Sequence, residues 1–214
     1  MTAMNDTGKS ITEAIRFVAR LGGECEHLIH LIKQELSEAL LAKEVAKRFK
    51  AGGKWIDSRT TDDHQWVYTG LAVSMPLIAK PKRSATSYLV VQISLAGEGI
   101  DAQGNHEPMV HVGQWGNPVD FEEVLMGFPM DMDTGYQLIL DNERLFRWVH
   151  ERYETEWCFS LRLTDINSLH DVQHRIIRPM MALLMGESAA EALSGSAAVR
   201  YAEVEGQAGQ FRTL

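Results

Sequence analysis

Apolar residues recur at helical spacing near both ends of this chain and alternate with polar ones through most of its middle. Ser10-Ile-Thr-Glu13 has the spacing of a helix-starting capping box, and Ile11, Ile15 and Val18 follow on one face. Gly22-Gly23 is expected to end that short helix. A long helix is expected next, from about residue 24 to 50, with Gly52-Gly53 as its stop. Leu28, Ile32, Leu36, Ala39 and Ala46 then form its buried stripe, flanked by Leu31, Leu40 and Phe49. Leu41 and Val45 fall off that stripe and make a small second apolar spot.

The period then changes to two. Val67, Thr69, Leu71, Val73 and Met75 alternate with Trp66, Tyr68 and Ala72, as in a half-buried strand. Leu89, Val91, Ile93 and Leu95 repeat the pattern, and a third strand is expected over about 107–115. Asn117-Pro118 reads as an N-cap with proline in the first turn. Asp120, Glu122 and Glu123 follow where a helix dipole favours acids, and Gly127 closes the expected short helix. Strands are expected over 136–140, 144–150 and 156–163, the first two flanking an Asp141-Asn142 turn. A last helix from about Ser168 to Leu184 places Leu169, Val172, Ile176, Met180 and Leu183 on its core stripe.

This order predicts an α+β fold: a six-stranded antiparallel sheet with helices packed against it and a long N-terminal helix. The βββα unit at 64–127 and 136–185 is a candidate pseudo-repeat without residue-level similarity between its halves. One domain is expected over 1–186, followed by an Ala/Gly/Ser-rich, loosely packed tail over 187–214. The elements around Phe121-Glu-Glu-Val-Leu125, the Asp141-Asn142 hairpin, Trp157 to Leu163 and the last helix resemble class I type III secretion chaperones. The resemblance spans less than half the chain, and the long second helix and the tail depart from it. It implies an acidic dimer that holds an extended segment of a cargo protein.

Charge adds an asymmetry to this picture. No Lys or Arg lies between Arg83 and Arg144, while that stretch holds Glu98, Asp101, Glu107, Asp120, Glu122, Glu123, Asp131, Asp133, Asp141 and Glu143. Those ten acids exceed the whole-chain formal charge of −8, so the remainder is about +2. The expectation is an electronegative lobe that disfavours nucleic acid and anionic membranes and attracts basic partners. No run approaches the about 20 apolar residues of a membrane span. Two cysteines, Cys25 and Cys158, make no disulfide framework, and a cytoplasmic location is expected.

Candidate chemistry is sparse. His170 and His174 stand at i and i+4, a spacing that lets two imidazoles share a divalent metal on one helix face. Asp171 occupies the place of the zincin glutamate; a third ligand would have to come from elsewhere, with His150 or Glu154 as candidates and nothing in the sequence identifying it. A boundary pair packed by its ring edges is the plainer reading. Cys25, His27 and His30 read as a solvated helix face rather than a soft-metal site. Asp131-Met-Asp133 lacks the EF-hand spacing. Neither a phosphate-binding glycine loop nor a GxSxG elbow occurs, so no cofactor is expected apart from that alternative divalent metal.

Trp66, Tyr68, Trp115, Trp148 and Trp157 spread large aromatics over the expected strands. Together with the acids and the lack of catalytic motifs, they point to a non-enzymatic protein-interaction module. It would use its acidic lobe and an aromatic sheet face on a protein partner, and would itself be a homo-oligomer. The rival readings are a metal-dependent hydrolase built on His170 and His174, and a secretion-chaperone-like cargo binder.

Overall fold

The computed structural model describes residues 3–133, 135–150 and 156–214. Helix α1 runs unbroken from Ala3 to Leu41, so Gly22-Gly23 ends nothing. Each mid-helix glycine costs about 1 kcal/mol relative to alanine. That cost is outweighed by burial further along, where Cys25, Ile29, Ile32, Leu36 and Leu40 pack into the core. The buried stripe is thus rotated from the expected one: Cys25 and Ile29 are in, Leu28 is half-buried, and Leu41 is 79% exposed. The expected long helix also stops early. After Ala42 come a short helix α2 (Lys43–Arg48), which buries Val45, and a strand β1 (Phe49–Ala51).

Eight strands form one sheet: β1, β2 (Ile56–Thr61), β3 (Tyr68–Ala79), β4 (Ser87–Ser94), β5 (Met109–Trp115), β6 (Gln137–Asp141), β7 (Leu145–Val149) and β8 (Glu156–Arg162). The α+β class and antiparallel pairing are as expected. The strand number is higher because β1 and β2, short and mostly exposed, both pair along one edge of β3. From β3 the order continues β4, β5, β8, β7, β6. Alternation sends Leu71, Val73, Leu89, Val91, Val112, Phe159 and Leu161 to one face. There they meet α1 and the last helix, composed of α3 (Leu169–Asp171), a π-helical stretch over Val172–Ile177 and α4 (Arg178–Met185). Pro179 cannot donate to the preceding turn, which matches a wide turn just before it.

The other face carries a second core, which the sequence reading did not anticipate. Val90, Met109, Phe146 and Cys158 point into it from the sheet, and Val119, Met126, Phe128 and Met130 cover them. The expected helix over 117–127 is absent, and with it the first half of the pseudo-repeat and the middle helix of the chaperone resemblance. Asp120 and Val124 close a tight backbone turn instead, and the Asp120 carboxylate accepts from the Glu122 amide at 3.2 Å. A short aspartate that bonds the local backbone favours a turn as readily as a helix start. Residues 187–214 are not loosely packed either. They form helix α5 (Ala189–Ala192) and a ribbon of β9 (Tyr201–Glu203) and β10 (Phe211–Thr213), and bury Leu193, Val199, Tyr201 and Phe211.

The sheet is tight where β5 meets β8. A Cβ on Gly113 would lie 2.4 Å from the Trp157 carbonyl oxygen, inside a central strand with no room to yield. Gly113→Ala is therefore expected to cost about 1–3 kcal/mol, a drop of a few degrees in thermal midpoint. Gly8→Ala, with nothing within 4 Å, should be neutral or slightly stabilising. Equal midpoints for the two variants would contradict the close approach.

Candidate functional site

A row of buried polar side chains crosses the second face and holds the covering segment in place. Gln92 on β4 uses both ends of its amide on Met126: its Oε1 accepts from the Met126 amide at 2.9 Å and its Nε2 donates to the Met126 carbonyl at 2.9 Å. Ser74 on β3 accepts from the Val119 amide at 2.9 Å. His111 on β5 reaches the Gly99 carbonyl with Nε2 at 2.7 Å and Ser160 on β8 with Nδ1 at 2.8 Å. A carbonyl only accepts, so Nε2 carries the proton and Nδ1 accepts from the Ser160 hydroxyl. Complete burial holds the imidazole down at about 4, partly opposed by its bond to Gly99. These residues take the positions that alternation leaves polar, yet they are buried, because the irregular backbone that covers them needs partners.

Between that pinned segment and the sheet opens a cleft of about 360 Å³. Trp115 from the end of β5, Trp148 from β7 and Tyr136 ahead of β6 supply its aromatic surface, with Val124, Leu125, Pro129 and Met130. Glu98, Glu123, Asp131 and Glu156 supply carboxyl groups, and no Lys, Arg or His lines it among the described residues. The Gly116 amide donates to Glu156 Oε1 at 2.6 Å, fixing one of the four. Phe128 donates its amide to the Glu98 carbonyl at 2.8 Å, which sets the position of another. Walls of this kind suit a cation carried on an apolar stem: carboxylates meet the charge, and indole and phenol faces meet both charge and stem.

The acidic stretch is partly neutralised by residues outside it. Glu107 lies 3.5 Å from Arg162, Asp141 3.2 Å from Arg147, and Glu143 pairs with Arg200. Asp131 also accepts from the Asp133 amide at 2.9 Å, so the Asp-Met-Asp run is a loop turn. Of the five aromatics singled out, only Trp115 and Trp148 reach the cleft. Trp157 packs in the first core and donates to Gln114 Oε1 at 3.2 Å, Tyr68 packs there as well, and Trp66 is 84% exposed at the β2–β3 turn. The expected aromatic sheet face is therefore a cleft with a loop wall. In the sequence its signals are the acids Glu98, Glu123 and Asp131 and the indoles of Trp115 and Trp148; nothing there marks the loop wall that joins them.

His170 and His174 do come together, their rings stacked with centroids 4.1 Å apart. Both are exposed, and among the described residues no group of three His, Cys, Asp or Glu is placed to hold a metal. Glu154, a candidate third ligand, lies outside the described residues. Asp171 is engaged elsewhere: it accepts from Ser168 Oγ at 2.7 Å and the Asn167 amide at 3.1 Å, and meets Arg175 at 3.2 Å. Cys25 is buried with a thiol pushed up by burial, whereas His27 and His30 face solvent. No helix among the described residues is long and apolar enough to cross a membrane. No protein-family model, curated protein or solved structure matches this chain.

Proposed function

We infer that this chain is a binding module whose cleft takes Lys or Arg side chains from a basic segment of a protein partner. The observation that supports it is the cleft's composition: four carboxyl groups and three large aromatics around about 360 Å³, with no basic residue in the described wall. That volume accommodates one or two side chains rather than a folded element, so the partner segment is extended or a loop. Charge attraction speeds encounter and selects against acidic partners, while the aromatics hold the bound side chain.

Tryptophan fluorescence titrations with short Lys/Arg-rich, neutral and acidic peptides test this. Basic peptides should bind, weaken about tenfold between low and high salt, and weaken about tenfold again on Trp148→Ala. Glu123→Gln combined with Asp131→Asn should reduce both the affinity and its salt dependence. Equal affinity for acidic peptides, or no change with Trp148→Ala, would remove the cleft from consideration.

A further inference from the structure

The space around Glu98 does not end with the cleft. Glu98 and Leu125 also line a second chamber of about 290 Å³, between the β2–β3 turn and the turn that follows β4. Its walls differ from those of the cleft. Thr60, Thr61 and Thr69 bring hydroxyls, and Asp62, Asp63 and Glu98 bring carboxyl groups. Phe121 and Leu125 are its only large apolar side chains, and no Lys, Arg or His lines it, among the described residues.

Local bonds hold these walls in place. Asp62 closes the β2–β3 turn, its Oδ1 accepting from the Trp66 and Val67 amides, both at 2.7 Å. The Phe121 ring lies on the bare backbone of Gly70 in β3, where a Cβ would come within 2.7 Å of it. Asp63 and Glu98 have no hydrogen-bond or ion-pair partner for their carboxylates among the described residues. Ser94, 2% exposed, lines the same chamber. Its Oγ accepts from Gln92 Nε2 at 2.8 Å, and the rest of that amide is engaged by Met126. The Ser94 hydroxyl proton is therefore left without an acceptor among the described residues, and a buried donor of this kind calls for one.

A group that suits this chamber brings a compact positive charge, several N–H donors and an acceptor close by. A lysine ammonium sits on four methylenes, which need apolar walls such as the cleft has and the chamber lacks. An amino-terminus carries its ammonium directly on Cα, with three donors and the first peptide carbonyl beside it. We propose that the chamber binds the free amino-terminus of the partner segment, whose basic side chain one or two residues further on fills the cleft. The inference rests on the reading of the cleft given above and narrows it, since the partner then presents a chain end rather than an internal loop. Because the two spaces share Glu98 and Leu125, one or two extended residues at about 3.5 Å each join them.

The probes are short peptides with one arginine at the second or third position and an amidated carboxy-terminus, titrated by tryptophan fluorescence against the full chain. The free-amine form should bind about tenfold more tightly than the acetylated form. Asp63→Asn should remove most of that difference and leave the acetylated peptide unchanged, since Asp63 is exposed and does not line the cleft. The advantage of the free amine should also fade as pH rises through about 8, where an α-amine loses its proton and arginine does not. Equal affinity of the two forms, with Trp148→Ala still weakening both, overturns the proposal and leaves the cleft reading standing. An acetylated peptide that regains the lost affinity when its first residue is lysine overturns it too, because the chamber then holds a side-chain ammonium. If Trp148→Ala leaves the acetylated peptide unchanged, the cleft reading fails, and the pairing of chamber with cleft falls with it.

Discussion

Phe128→Ala should be the most damaging single truncation outside the first core, at about 3–5 kcal/mol. Phe128 is 1% exposed and is the hub of the second core: its ring lies 5.6 Å from Tyr201, 6.2 Å from Phe146 and 6.3 Å from His111. Three parts of the chain meet there, namely the loop wall, the sheet and the C-terminal ribbon. The cavity left behind cannot collapse easily, because Met126 is tied to Gln92 and the Met130 amide to the Gly209 carbonyl at 2.8 Å. In a chain of this size the thermal midpoint should fall on the order of 10 °C. Peptide binding should weaken too, since Gly127, Pro129 and Met130 line the cleft on either side of the ring. The first core does not contain Phe128, so far-UV circular dichroism at low temperature should be retained. A loss below about 1 kcal/mol would mean that the loop wall repacks freely and that the cleft is not preformed.

The sequence carried the first core well and the second hardly at all, for a physical reason. Strands β3, β4, β5 and β8 show clean alternation because their first face meets helices, and helices present regular apolar stripes. Their other face meets irregular chain. There Gln92, His111 and Ser160 break the pattern as if solvent-exposed, although each is at most 1% exposed. Burial of polar residues under a loop looks, in sequence, just like exposure. The tail misled in the same way: its Ala, Gly and Ser mask four large buried anchors at Leu193, Val199, Tyr201 and Phe211. The cleft inherited both errors. Three of its four carboxyl groups and both of its indoles stand out, but the loop wall that joins them reads as a helix. The rotated stripe of α1 has a different cause: Gly22-Gly23 reads as a break and masks the continuous spacing from Ile11 to Leu36.

Stability should fall steeply as pH drops from about 6.5 to about 4, and His111 should carry most of that loss. In the folded chain burial holds this imidazole neutral down to about 4, while in the unfolded chain it protonates near the ordinary 6.5. Between those values the unfolded state binds more protons, so stability is fully present above about 6.5 and declines as pH falls. Two and a half units correspond to about 3 kcal/mol at the acid end. The titratable neighbours Cys158 and Tyr201 are both pushed upward by burial and stay neutral throughout this range. Asp62, held low by the amides of Val67 and Trp66, and Asp171, held low by the Ser168 hydroxyl, act in a lower window. Their contributions persist above the ordinary 3.8 and disappear only below it. Urea unfolding at a series of pH values, compared with His111→Gln, separates the two. The variant should be less stable at neutral pH, because the Gly99 carbonyl and Ser160 hydroxyl lose a well-placed partner, yet flatter between 6.5 and 4. Its opening should also reach the cleft, since Glu98 precedes the carbonyl that His111 holds and peptide affinity depends on where that carboxyl stands. A His111 proton resonance that titrates near 6.5 in the folded protein would show instead that water reaches the ring, and the second core would have to be more open than its packing indicates.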